Sequence, residues 1–330
     1  MAGSTSNETP HKAVLAARLT VGDLEKMLFD AFPATDALEG DRIGLLAGDV
    51  AAPLSSIVIA LDATVEVIER AAACGCNVLV THHPVFWNPP ELFLREVGTQ
   101  AAHGAATSAA AAVYRAAEKG VSLIAMHTNL DCAPAAAGLL LDPVGYEYVS
   151  PLMPHGQAGA GLGQLGIPRL QGSGERGPIS LQNSGERVLA SLHSSGAEDS
   201  AHLRSDAERV PISLQELARR YGQAFGAVAK AWGEPSMSIY KLAACPGGAG
   251  EVVKEVIASG ADCFVTGEVR YHEALELAAA GVALIELGHD RSELPFRFYL
   301  RDALMSAGIP EDCIHVIEPL VSWWQSWKVE

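Results

Sequence analysis

The stretch VEVIERAAACGCNVLVTHH, residues 65–83, decides the fold. Its first part, VEVIERAAACG (65–75), has helical spacing and stops at Gly75, a residue suited to a helix C-cap. NVLVT (77–81) is a short run of strand formers, and it ends on the tandem pair His82 and His83. Upstream, SSIVIALDAT (55–64) reads as a strand that closes in a turn. Strand, helix and strand at this spacing make a βαβ unit, because parallel strands need a crossover connection. That argues for an α/β protein with a parallel sheet and helices on its faces. Downstream, HGAATSAAAAVYRAAEKG (103–120) predicts an alanine-rich helix, and VSLIAM (121–126) predicts a buried strand running into HTNLD.

The same plan returns in the second half. YKLAACPGG (240–248) reads as strand then turn, GEVVKEVIASG (250–260) as helix, and DCFVTG (262–267) as strand. Glu66 and Gly75 align with Glu251 and Gly260, and Thr81 aligns with Thr266, which puts His82 and His83 opposite Gly267 and Glu268. KGVSLIAMHT (119–128) parallels AGVALIELGH (280–289). The expectation is an internal duplication: lobe 1 over 19–168 and lobe 2 over 211–330, with a disordered tail at 1–18. Between the lobes, 169–210 is rich in Ser, Gly and charge, and ERGPISLQ (175–182) recurs as ERVPISLQ (208–215). One repeat pair is too few for a solenoid, so this predicts a low-complexity, mobile loop. After it, Ser213 and Glu216 have the spacing of a capping box.

Composition narrows the function. The 330 residues are 49% apolar and 19% charged, as in ordinary globular chains, and no apolar run approaches a membrane span. The N-terminal MAGSTSNETPHK lacks an apolar signal core. A formal charge of -16 argues against binding a nucleic-acid backbone and is compatible with a site for cations. The six cysteines form no CxxC pair, which predicts reduced thiols in a cytoplasmic protein.

The chemistry concentrates where strands end, the edge at which open parallel sheets bind ligands. Consecutive histidines in a continuing strand would face opposite sides of the sheet. At a strand end followed by Pro84, the chain can turn and bring His82 and His83 toward one pocket. HTNLD (127–131) offers His127 and Asp131, although Asn129 or Asp131 could equally cap a helix. In GHDRSE (288–293), His289 and Glu293 share a face if the segment is helical; a plain surface helix start is the bland reading. TGEVRYHEA (266–274) adds Glu268 and His272 at the same spacing. The summed ligand set is His82, His83, Asp131, His289 and Glu293. Nitrogen and oxygen donors without thiolate suit Zn, Fe, Mn, Ni or Co better than Ca or Mg. This set is too large for one tetrahedral ion and suits two, with a carboxylate bridging. CPGGAGE (245–251) reads as a tight turn before a helix, with a weak signal for an anion site. SWWQSW (322–327) reads as aromatic packing on the core or at a subunit interface.

ALDAT, THHPVF, HTNLD, TGEVRYHEAL and ELGHDRSELPF, in this order, resemble the family of NGG-interacting-factor homologues, often described as GTP cyclohydrolase type-two homologues. DRIGLLAGD (41–49) resembles that family's N-terminal motif, with Gly40 and Arg42 departing from it. The segment CAPAAAGLLLDP after HTNLD and Asp290 after the Gly-His pair depart as well. The resemblance implies two similar, intertwined three-layer α/β/α lobes forming one dinuclear metal site, assembled as a homohexamer. It implies the same five metal ligands, with His127 and His272 as proton-transfer candidates. The expected function is a dinuclear metal-dependent hydrolase acting on a nucleotide or other small phosphorylated or heterocyclic substrate. The alternative is a non-catalytic metal-binding ring scaffold or metal carrier that interacts with partner proteins.

Overall fold

A computed structural model of the chain describes residues 18–93, 108–170 and 209–319. The expected tail up to residue 17, the loop over 171–208, the start of the alanine-rich helix and the SWWQSW segment lie outside the described residues.

The first elements are α1 (Val21–Ala31), β1 (Gly44–Ala47), β2 (Ile57–Ala60), α2 (Val65–Ala73), β3 (Val78–Thr81), α3 (Ser108–Lys119), β4 (Ser122–Ala125) and α4 (Thr128–Asp131). Then come β5 (Tyr146–Pro154), β6 (Gly161–Pro168), β7 (Ile212–Ser213), α5 (Leu214–Phe225), β8 (Lys230–Trp232), β9 (Ser238–Ile239) and β10 (Leu242–Gly248). The chain closes with α6 (Val253–Ser259), β11 (Cys263–Glu268), α7 (Tyr271–Ala279), β12 (Ala283–Glu286), α8 (His289–Glu293), α9 (Phe296–Ser306) and β13 (Ile314–Val316).

These elements form two units that are not the linear halves 19–168 and 211–330. Of the described residues, unit 1 takes 18–31, 40–93, 108–127 and 300–319, and unit 2 takes 32–39, 128–170 and 209–299. Backbone pairing enforces the interleaving. β13 adds in parallel to β2, with Ile314 opposite Ile57. The β5–β6 ribbon adds to β10, with Gly166 opposite Leu242.

In unit 1 the sheet order is β1-β4-β3-β2-β13, parallel except for β1. β2, β3 and β4 are buried along their whole length, so both faces of the sheet are covered. On one face Val58, Leu79 and Leu123 pack with Ile68 and Ala71 of α2 and Ala112 and Ala116 of α3. The Thr64 hydroxyl caps α2 by accepting the Val67 N–H, and Gly75 takes the left-handed φ of +70° that ends the helix.

In unit 2 the order is β5-β6-β10-β11-β12-β8, with only β10, β11 and β12 mutually parallel. Ala243, Phe264 and Leu284 pack with Val253 and Val256 of α6 and Leu277 of α7. The duplication extends beyond the βαβ core. The order α1-β1-β2-α2-β3-α3-β4-α4 returns as α5-β8-β10-α6-β11-α7-β12-α8. β1 runs antiparallel on β4 just as β8 does on β12. Even the bridge before each first helix recurs, Thr20 with Pro53 and Ile212 with Ile239. Among the described residues no helix is long and apolar enough to cross a membrane.

Candidate metal centre

In unit 1 the strand end at β3 curls. The Thr81 hydroxyl donates to the His83 carbonyl at 2.7 Å, and the His83 N–H donates to the Leu61 carbonyl at 3.0 Å. The two neighbouring imidazoles therefore converge, with ring centroids 5.1 Å apart. His127, just beyond β4, completes a triangle at 5.1 Å from His82 and 6.0 Å from His83. One ring nitrogen of His82 lies within 4.8 Å of one on His83, and one lies within 4.8 Å of one on His127.

Each ring is oriented by its Nδ1. His82, fully buried, donates to the Met126 carbonyl at 3.0 Å. His83 pairs with Asp62 at 2.7 Å, and His127 with both oxygens of Asp41 at 2.9 and 3.1 Å. A proton held on Nδ1 by an oxygen acceptor puts the donor lone pair on Nε2, the arrangement found around metal-ligating histidines.

Unit 2 repeats the device. α8 sets His289 Nε2 3.3 Å from the buried carboxylate of Glu293, and Glu268 takes the His289 Nδ1 at 3.0 Å. Gly247 makes room for this pair: its φ is +67°, and a Cβ there would overlap the Glu293 carboxylate. The Gly247 N–H donates to Ser292 Oγ, whose hydroxyl donates to the His289 carbonyl, so the turn and α8 are tied together. Asp131, half-buried at the end of α4, lies close enough to Cys245 to act on it. Burial pushes the Cys245 thiol well up, and the charges of Asp131, Glu251 and Glu293 push it further.

Imidazole and carboxylate donors fit a borderline divalent ion, and these side chains are compatible with metal binding. His127, predicted to handle protons, sits in the same triangle as the two predicted ligands of unit 1. His272 is exposed on the first turn of α7, its ring 5.7 Å from Tyr271. It does not share a helical face with Glu268, because the chain leaves β11 at Glu268 and starts α7 at Tyr271. Sequence reasoning missed the roles of Asp41, Asp62, Ser292 and Gly247. Asp41 and Asp62 stood inside the quoted DRIGLLAGD and ALDAT motifs, the one signal available for them. CPGGAGE (245–251) closes β10 with an irregular register between Cys245 and Gly248, and Gly247 within it admits a carboxylate side chain.

Comparison with known proteins shows the family and the fold. A protein of Clostridium acetobutylicum named GTP cyclohydrolase 1 type 2 homolog is 23% identical over 279 residues, 84% of this chain and 86% of that protein. A homologue of the same name from Halalkalibacterium halodurans is 29% identical over 139 residues, 42% of this chain and 35% of its own length. Among solved structures, Staphylococcus aureus protein SA1388 superposes with a TM-score of 0.69 at 18% identity, covering 93% of this chain and 99% of that one. The reduced HcgD of Methanocaldococcus jannaschii gives a TM-score of 0.63 at 19% identity, covering 90% and 97%. The family model for Duf34/NIF3 (NGG1p interacting factor 3) matches residues 19–316, nearly the whole chain, and the protein belongs to that family.

Proposed function

We propose that the protein is a metal-dependent hydrolase acting on a nucleotide or another small phosphorylated or heterocyclic compound. Its relatives' name, GTP cyclohydrolase 1 type 2 homolog, points to a purine nucleotide as the first substrate to try. The observation that carries the reading is the repeated one: His82, His83, His127 and His289 each commit Nδ1 to an oxygen acceptor. In this reading His82, His83, Asp131, His289 and Glu293 would hold two divalent transition-metal ions. Such ions would supply a water of lowered pKa and positive charge for a developing oxyanion.

The side chains then divide the work. Glu293 would offer its carboxylate oxygens as donors. Asp62 and Glu268 keep His83 and His289 in one tautomer. His127 accepts a proton at Nε2, and the Asp41 carboxylate stabilises the imidazolium that results. His272 is the second proton-transfer candidate, reaching substrate from its exposed position. The working assembly in this reading is a cytoplasmic homohexamer.

Metal analysis of untagged protein, wild type against His83→Ala, tests the site. The expected result is about two equivalents per chain, falling sharply in the variant. Assay of the metal-loaded protein on a nucleotide and phosphoester panel tests the reaction. Full metal content with no turnover across that panel refutes the hydrolase and leaves the metal-binding scaffold.

A further inference from the structure

The rim of the histidine triangle carries an arrangement that the metal ligands do not use. Trp87 is 57% exposed, and its ring stands edge-on to His127 with centroids 5.0 Å apart. Its carbonyl accepts the Nε–H of Arg42 at 3.0 Å. Arg42 is itself exposed, and neither of its terminal amino groups has a partner among the described residues. One hydrogen bond thus anchors a guanidinium to the main chain of an open indole that stands against His127. A lone exposed apolar side chain needs no explanation. An open indole edge-on to His127, on a residue whose carbonyl holds a guanidinium, does.

We propose that Trp87 and Arg42 position the substrate: the indole stacks on the planar ring of a purine nucleoside phosphate, and the Arg42 fork holds the phosphate. Aromatic faces stack on any base, and a guanidinium matches phosphate oxygens through paired N–H donors. The inference rests on the hydrolase reading and names the residues that would select its substrate.

The test is calorimetric titration of the full chain with three probes: GMP, guanosine and ribose 5-phosphate. Wild-type protein should bind GMP most tightly. Trp87→Leu should weaken GMP and guanosine about tenfold or more and leave ribose 5-phosphate unchanged, with Trp87→Phe recovering most of the loss. Arg42→Ala should weaken GMP and ribose 5-phosphate but not guanosine. Metal content should match wild type in all three variants. GMP affinity unchanged in Trp87→Leu and Arg42→Ala, with metal intact, overturns the inference and leaves the hydrolase reading standing. A change of oligomeric state in Trp87→Leu without a change in GMP affinity overturns it too, by making Trp87 an interface residue. The probe pattern seen in a protein that holds no metal and turns nothing over supports the positioning pair while the hydrolase reading falls.

Discussion

His83 owes its orientation to a carboxylate 21 residues upstream, Asp62, at 2.7 Å. Asp62 is exposed and fills no core, so its removal should act on the ring and hardly on the fold. Asp62→Asn is expected to lower metal affinity by about 10- to 100-fold, read by competition with a chromophoric chelator. Its unfolding free energy in urea should change by no more than about 0.5 kcal/mol. An unchanged affinity would remove Asp62 from the site. Gly247 is the opposite case. Gly247→Ala forces a side chain into a left-handed backbone and into the Glu293 carboxylate, so it should cost about 2 kcal/mol in urea unfolding and reduce bound metal. Wild-type stability in this variant would show that the turn can relax away from Glu293. The two cases explain what the sequence could and could not disclose. His82–His83 and His289–Glu293 announce themselves by adjacency or helical spacing. Asp41 and Asp62 lie 86 and 21 residues from the histidines they hold, and only their place in the quoted motifs marks them.

Helices and strands were legible where one segment contains its own stop and start signals. α2 is capped by Thr64 and ended by Gly75, and α6 is ended by Gly260 at φ +68°. α5 carries the capping residue read from the repeat, with Ser213 Oγ accepting the Glu216 N–H at 3.2 Å. Ser213→Ala is expected to cost about 1 kcal/mol in chemical unfolding, and a null effect would mean water replaces the cap. The same turn predicts a pH effect. Hydrogen bonds from Arg219 and Arg220 hold the Glu216 carboxyl at about 2, below its ordinary 4.5. A depressed acid stabilises the fold above its unfolded pKa, and that contribution is lost as pH falls toward 2. The group is partly exposed and screened, so the effect should stay below about 1 kcal/mol. Between pH 5 and 2 the melting temperature should drop slightly more steeply in wild type than in Glu216→Gln; parallel curves would show that the pairs add nothing. The edge strands escaped prediction for a different reason. β13 has only the residues IHV, and its place beside β2 is set by pairing across most of the chain.

Across the whole chain, the duplicated order of elements was readable because both copies keep Glu, Gly and Thr at matching places in their βαβ cores. The division into units was not, since the chain returns at Leu300 to finish a sheet begun near Gly44. That division bears on stability. Asp131, Glu251 and Glu293 all raise the Cys245 thiol, so three carboxylates gather near it in a chain of net charge -16. Gathering like charges opposes folding unless a cation compensates them. A metal bound only by the folded state adds stability as RT ln(1 + [L]/Kd), about 2.7 kcal/mol when the free ion is 100 times Kd. Treatment with a chelator should therefore lower the melting temperature of the intact protein, and readdition of Zn or Mn should restore it in a concentration-dependent way. The rise should shrink in Glu293→Gln, which removes a negative charge and a ligand together and so raises the apo melting temperature while flattening the metal response. A melting temperature that ignores both chelator and added metal, in wild type and variant alike, would mean that these carboxylates are tolerated without a cation.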